Sequence, residues 1–451
     1  MQSFAHITSE EKTTRRGNIL SISVNVLRVI LALTFVFSGF VKAVDPMGTV
    51  YKMSDYAEAF GMAGIANPRL MMMAAMALCM FEFVIGICLL FGIWRRSTLI
   101  AILVFLSAMT PLTFYLAIAN PVSDCGCFGD AIILTNWQTF WKNIVLLSIT
   151  VFVLINNQYI IRFIRNSWQW MIIAFSLVSI YIFMGHNLRH LPVVDYRPWH
   201  IGADIEASMR IPDDAPQAKY ETLFTLTRDN EEKEFTLDNY PDSTWTFVKS
   251  RSVLIDPGYV PPISDFNLID NEGNDITEML FEPGWTFLLV MNHLRGEDML
   301  DAINDLYDYA SIWDCSFYAL TSSTSEEINR WRENTGARYD IFHMDDITLK
   351  TIVRSDPGLV LIHDGIITGK WSRHDLPQDG MLSGSPATQP WSVTTQHEVG
   401  HRHLRATVLM FFPYLFIALL CLIVPHAEEK VFPKKLRRKK SASATADSKT
   451  D

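Results

Sequence analysis

Two of the six cysteines stand one residue apart in Asp124-Cys125-Gly126-Cys127-Phe128-Gly129-Asp130, a short polar loop between long apolar runs. Gly126 has no Cβ, so the backbone can fold tightly enough to bring both sulfurs into a small ring. Strained, exposed disulfides of that kind are the labile or catalytic ones. Cys125 and Cys127 therefore fit a dithiol/disulfide redox pair. They fit equally a structural disulfide, or two idle thiols in a tight turn. Metal binding is served less well, because two thiolates need further ligands and no third cysteine is close in the chain.

A second constellation is His397-Glu398-Val399-Gly400-His401. On a helix its two histidines share a face, which is the arrangement that binds zinc with the glutamate as base. A third ligand is missing. His403 is too close to the pair, and Glu428 and Glu429 are expected across a membrane. The segment reads as a polar, juxtamembrane, histidine-rich loop, with a zinc metalloprotease as a minor alternative and no metal site assigned.

Ionisable residues inside apolar runs form the third group. Arg28, Lys42 and Glu82 each carry a cost in lipid and belong facing a bundle interior. Counted from the inner ends of their runs, Arg28 lies about 12 Å deep and Glu82 about 16 Å deep at 1.5 Å per residue. That depth match predicts a structural Arg28–Glu82 ion pair. Lys42, near the outer end of its run, either snorkels or joins Glu82 in a proton or quinone site beside the cysteines. Cys79 and Cys88 sit among apolar residues and read as inert.

The elements that must position these residues are membrane spans. Hydrophobic residues make up 49 % of the 451-residue chain, but they are segregated into runs, which is the membrane signature. The runs are 19–44, 70–94, 98–119, 140–161, 168–188 and 406–424. The first is too long for a signal-peptide core. Basic residues mark one side: Arg15 and Arg16, Arg95 and Arg96, Arg162 and Arg165, and the cluster from Lys434 to Lys440. That side is the cytoplasm by the positive-inside rule. The Cys125/Cys127 loop and residues 189–405 then lie outside, in a bacterium the periplasm, where disulfides persist. No basic patch sits on a folded face, so no nucleic-acid partner is expected.

Phe37-Ser38-Gly39-Phe40-Val41-Lys42-Ala43-Val44-Asp45-Pro46, Glu82 ahead of Leu89-Leu90-Phe91-Gly92, and Cys-Gly-Cys-Phe-Gly-Asp between the third and fourth spans together resemble the DoxX/MauE group of bacterial four-helix membrane proteins. The resemblance covers about residues 15–160. It implies a multi-pass protein linked to electron transfer or to disulfide chemistry on periplasmic partners.

The outer region reads in two parts. Prolines and short alternating stretches such as 220–226 suggest a β-rich connector over 189–260. From 261 to 376, strands at 285–291 and 316–321 alternate with helices at 298–310, 325–335 and 346–353. A short strand at 341–342 and a hairpin over 358–371, turning at Asp364-Gly365, complete an α/β pattern. This stretch resembles the thioredoxin superfamily, with Pro357 where that family places a cis-proline. The family's Cys-x-x-Cys position here reads Asn292-His293-Leu294-Arg295 and holds no thiol.

The expected architecture is thus a multi-pass α-helical membrane bundle of about six spans plus a periplasmic α/β thioredoxin-like domain lacking Cys-x-x-Cys. In order, it comprises a cytoplasmic N-terminus (1–18), a four-helix DoxX/MauE-like domain (19–165), a fifth span (166–188), the connector (189–260) and the thioredoxin-like domain (261–376). A juxtamembrane loop (377–405), a sixth span (406–424) and a basic cytoplasmic tail (425–451) complete it. The expected function is thiol–disulfide redox support at a bacterial inner membrane through Cys125 and Cys127, with a periplasmic protein partner and a quinone near Lys42 and Glu82. The alternative is a non-catalytic scaffold whose outer domain docks a partner.

Overall fold

In the computed structural model the residues described are 2–431, apart from 63, 65–66, 123–124, 165, 229–230, 243, 257, 265, 271–272, 295–298, 379 and 395. Asp124, Arg165, Arg295 and the basic segment 434–440 fall outside them. The chain divides into two units, Met1–Tyr196 with His397–Asp451, and Arg197–Gln396.

Punctuation residues set the helices of the first unit. Helix α1 (Gln2–Val44) gives way to α2 (Pro46–Ala59) at Asp45, whose side chain accepts from Gly48 N, and at Pro46, which has no N–H to continue α1. Asn67 caps α3 (Pro68–Phe91), and Gly92, in the left-handed region at φ 68°, closes it. Helix α4 (Arg95–Ala119) follows directly. A capping box between Thr135 and Gln138 starts α5 (Asn136–Ile155), four residues before the apolar run does. Helix α6 (Asn166–Arg189) follows. The outward apolar side chains Val104, Ile118, Val145, Ile155 and Ile182 are exposed in the protein alone and contact the bilayer.

Helices α1 and α3 approach backbone to backbone. A Cβ on Gly39 would lie 2.4 Å from Phe83 N, and one on Gly86 would lie 2.7 Å from Val36 N. Small residues at such crossings are how helices pack in lipid, where no hydrophobic force separates helix from tail. The two contacts fix an antiparallel register, with Glu82 level with Phe40.

The second unit begins with α7 (Ile205–Met209) and an antiparallel sheet of β1 (Lys219–Arg228), β2 (Glu231–Phe235) and β3 (Thr246–Asp256), ordered β2-β1-β3. A mixed sheet follows, built from β4 (Trp285–Met291), α8 (Leu300–Ile312), β5 (Ser316–Thr321), α9 (Ser325–Thr335), β6 (Asp340–His343), α10 (Asp346–Ile352), β7 (Gly358–His363) and β8 (Ile366–Ser372). Its order is β6-β5-β4-β7-β8, with β4, β5 and β6 parallel, β7 antiparallel to β4, and β8 antiparallel to β7. A central strand with a helix crossover on one side and a hairpin on the other is the thioredoxin topology. Asp364 and Gly365 both have positive φ (50° and 77°), as a two-residue hairpin turn of this hand requires. Phe287 and Leu289 on one face of β4 and Leu288 and Val290 on the other are all fully buried, as expected of a strand covered on both faces. The Asp356–Pro357 bond is cis.

The last helix, α11 (Gln396–Val431), packs within the first unit, with Phe411 5.0 Å from Phe40 and Tyr414 6.1 Å from Phe83 between ring centroids. It corrects the expected juxtamembrane loop: residues 396–405 are already helical, because Glu398 to Arg405 contain no proline and only one glycine to break the run that follows.

Candidate functional site

The Cys125-Gly126-Cys127 turn is held from three helices. Gly126 takes φ 63°, and Gly129 N donates to Gly126 O at 3.1 Å, closing the turn. Tyr56 of α2 donates to Cys125 O at 2.6 Å, and Ser38 of α1 donates to Cys127 O at 2.8 Å. Phe128 packs against Phe37 at 5.5 Å, and Lys142 of α5 lies 4.4 Å from the Phe128 ring centre. The two sulfurs are free thiols 3.2 Å apart, within reach of one shared S–H hydrogen bond.

This geometry makes the two thiols unequal. Cys127 is pulled down to about 6, first by the hydrogen bond from Cys125 and then by the Lys142 and Lys42 ammonium charges, against burial and the Glu82 carboxylate. Cys125 is pushed up by that same hydrogen bond, in which it keeps the proton, and by burial. The lower of two such thiols is the one that ionises first, and the thiolate is the nucleophilic form of cysteine.

Directly beneath lies a buried charge cluster. Lys42 Nζ donates to Glu82 Oε1 at 2.8 Å, to Glu82 Oε2 at 2.7 Å and to Ser38 Oγ at 3.1 Å. Ser38 Oγ in turn lies 2.8 Å from Glu82 Oε2. Lys42 and Glu82 are 6 % and 4 % exposed, so Lys42 does not snorkel to an interface. Ser38 and Lys42 stand one helical turn apart on α1 and bracket the level of Glu82.

The expected Arg28–Glu82 pair is corrected. Glu82 pairs with Lys42, while Arg28 donates to Ile161 O at 2.7 Å and lies 5.5 Å from the Phe163 ring centre. The glycine-set register places Glu82 level with Phe40, and so about 18 Å along α1 from Arg28. Depths counted from the edges of hydropathy assumed that the inner ends of the two runs were level. All three ammonium hydrogens of Lys42 are taken up by Glu82 and Ser38, and both charged groups are buried.

Other candidates lie apart. Cys79 and Cys88 are buried within α3. Glu398 and His401 stand near the start of α11, and the His397 side chain is outside the described residues. Among the described residues, no three His, Cys, Asp or Glu side chains gather as a metal would need. In the second unit, Asn292 N donates to Asp356 Oδ1 at 3.1 Å and Leu294 N to Ser323 Oγ at 3.2 Å, so the end of β4 is tied down by polar contacts. Cys315 is pushed up to about 11 by burial and then by Asp314.

Ser38, Tyr56 and Lys142 were not singled out by sequence as site residues. For Ser38 a signal existed: a serine four residues before a lysine, inside an otherwise apolar helix, points to one polar face. Tyr56 and Lys142 carried none, since each meets the loop only through tertiary packing.

Residues 20–156 match the family model of the methylamine utilisation protein MauE, and residues 220–257 match a domain of unknown function (DUF8463). Among solved structures, a candidate protein disulfide isomerase from Bacteroides thetaiotaomicron is similar at 13% identity, over 32% of this chain and 86% of that one, with a TM-score of 0.21. No curated protein matches the chain.

Proposed function

We propose, taking residues 20–156 as a MauE-like membrane region, that this multi-pass protein exchanges disulfides with a protein partner through Cys125 and Cys127. The observation that carries the reading is the unequal pair: two sulfurs 3.2 Å apart, with Cys127 held as the thiolate beside the Cys125 thiol. The Cys127 thiolate attacks a partner disulfide and forms a mixed disulfide, releasing one partner thiolate. Cys125 gives its proton to that thiolate, attacks the Cys127 sulfur and displaces the second partner sulfur. The pair loses two electrons and the partner disulfide gains them. One proton beyond the one Cys125 holds is needed to leave the partner as a dithiol. Run backwards, the same steps oxidise a partner dithiol.

The basic segments at the inner ends of the spans support an outside location for this loop and for residues 189–405, with both termini in the cytoplasm of a bacterial cell. The second unit, a thioredoxin fold without its thiols, is suited to hold the partner rather than to react with it.

Differential alkylation with a membrane-impermeant thiol reagent in intact cells tests the reading. Cys125 and Cys127 should be labelled from outside, and the labelled fraction should rise after brief exposure to dithiothreitol and fall again on its removal. Labelling only after lysis excludes the outside location. A fraction that never changes makes the pair structural and leaves the scaffold reading.

A further inference from the structure

Arg28 is a buried cation without a counter-ion among the described residues. It is 2 % exposed, and its guanidinium donates one hydrogen bond, to Ile161 O at 2.7 Å, although it carries five N–H hydrogens. Nε is closed off and has no hydrogen-bond partner. The Phe163 ring, 5.5 Å away, offers a π face but no negative charge. No Asp or Glu occurs in residues 12–44, 83–123 or 131–194, and Glu82 is taken by Lys42. A buried guanidinium in a membrane protein is costly unless an anion answers its charge.

Hydropathy alone would put Arg28 inside the apolar layer, but its neighbours are the ends of helices. A Cβ on Gly92, which closes α3, would lie 3.3 Å from Arg28 Nη1 and 3.4 Å from Arg162 Cα. Helix α4 starts at Arg95, whose Nη1 donates to Gln158 O at 3.2 Å. Asn25, close to one turn before Arg28, donates to Tyr159 O at 2.9 Å and accepts from Ile161 N at 3.1 Å, so the segment after α5 is tied to this part of α1. Trp94 and Trp170, both exposed, have ring centres 4.5 Å apart, and such amphipathic rings favour the headgroup level. Ser38, which holds the Cys127 carbonyl, lies about 15 Å further along α1. Arg28 therefore sits near headgroup depth, at the end of the bundle away from the cysteines.

The same rim carries Arg95, Arg96 and Arg162. Arg96 and Arg162 are exposed and make no hydrogen bond or ion pair. Arg28 and the Arg162 backbone converge on Gly92, so positive charge gathers there with no acid to offset it. At headgroup depth the available anion is a lipid phosphodiester, and a guanidinium can pair with phosphate through two parallel N–H bonds. We propose that the Arg162 guanidinium, with the buried Arg28 charge behind it and Arg95 and Arg96 beside it, holds the phosphate of an anionic phospholipid in the adjoining leaflet. Arg162 makes the contact. Arg28, closed off from the surface, contributes its charge and not a bond. This site is separate from the thiol pair and does not depend on the redox reading.

Full-length protein in detergent, titrated with phosphatidylglycerol or with phosphatidylcholine of the same chains and read by native mass spectrometry, supplies the test. Wild-type protein should prefer phosphatidylglycerol. Arg162→Gln should weaken that preference by about fivefold, the worth of one basic residue at an anionic surface. Arg28→Met should weaken it to a similar extent, and because Arg162 makes no hydrogen bond, Arg162→Gln keeps the test readable if Arg28→Met does not fold. Arg69→Gln, which changes an exposed arginine at the far end of α3, should leave the preference unchanged. Inorganic phosphate should not displace the bound lipid. Equal affinity of the wild-type protein for the two lipids overturns the proposal. So does a preference untouched by Arg162→Gln, or one weakened as much by Arg69→Gln, which is diffuse attraction and not a site. Displacement by inorganic phosphate makes this a free-anion site and overturns the lipid assignment. A folded Arg28→Met protein with the wild-type preference overturns the part given to the buried charge.

Discussion

At the scale of single residues, the proposed redox reading of this cysteine pair rests on asymmetry. A Cys-Gly-Cys turn alone brings sulfurs together but does not choose between them. Here Tyr56 and Ser38 fix the two carbonyls, and the shared S–H bond with nearby lysines makes Cys127 the thiolate. In fully reduced protein, alkylation should therefore begin at Cys127, with its rate rising through about pH 6. Below that pH the sulfur is protonated and slow; above it the rate levels off, and Cys125 lags throughout. Lys142→Ala removes a positive charge that favours the thiolate, so it should move the midpoint upward. Mass-spectrometric mapping of the labelled cysteine across pH checks both. The buried pair below makes a different prediction. Lys42→Met leaves Glu82 stranded without its counter-ion, which should cost about 3–5 kcal/mol. Adding Glu82→Leu removes the stranded charge and should recover much of that loss. Thermal unfolding in detergent of the two single variants and the double variant measures the coupling, and strictly additive losses would show there is none.

At the scale of elements, the site exists because α1 and α3 touch at glycines. That contact decides which charges meet. The Gly39 Cβ would fall on backbone, 2.4 Å from Phe83 N, and backbone cannot turn aside as a side chain can. Gly39→Ala should thus push the helices apart, lower stability by about 1–3 kcal/mol and loosen the Lys42–Glu82 pair. Gly185→Ala in α6 is the control, since nothing lies within 4 Å of a Cβ there and alanine is the better helix former. A melting temperature equally unchanged in both variants would mean that the crossing is not tight. The same contact explains what the sequence could and could not disclose. The Asp364-Gly365 turn and the strands 285–291 and 316–321 are local patterns, legible with their bounds, while the apolar runs disclose the helices but not their ends, as 140–161 against α5 (Asn136–Ile155) shows. The partner of Glu82 was not, because register is set by a glycine contact between residues 44 positions apart and not by distance from the edge of a run. Helix α2 shows no apolar run, because Lys52 and Asp55 interrupt its apolar residues. It nonetheless supplies Tyr56 to the loop. The start of α5 is marked by Thr135 and Gln138, three residues apart, ahead of the apolar run that begins at 140.

At the scale of the whole molecule, the two units carry different features. The membrane unit has the unequal thiol pair Cys125 and Cys127. The second unit has the thioredoxin sheet with a cis-Pro357 ahead of β7, yet its one cysteine, Cys315, is pushed up to about 11 and stands alone. A thiol that remains protonated at neutral pH is a poor nucleophile, and a lone thiol cannot complete a disulfide within its own unit. Chemistry and recognition are therefore expected to separate on mutation. Full-length protein with Cys125→Ser and Cys127→Ser should lose disulfide exchange with a dithiol substrate but still capture its partner in cells. Cys315→Ser should retain both properties. Exchange measured in membrane vesicles, together with crosslinking from residues placed beside β7, reads the two properties apart. If the double-serine protein still exchanges disulfides, and adding Cys315→Ser abolishes that remainder, then the second unit performs the chemistry and the assignment to the Cys125/Cys127 loop is wrong.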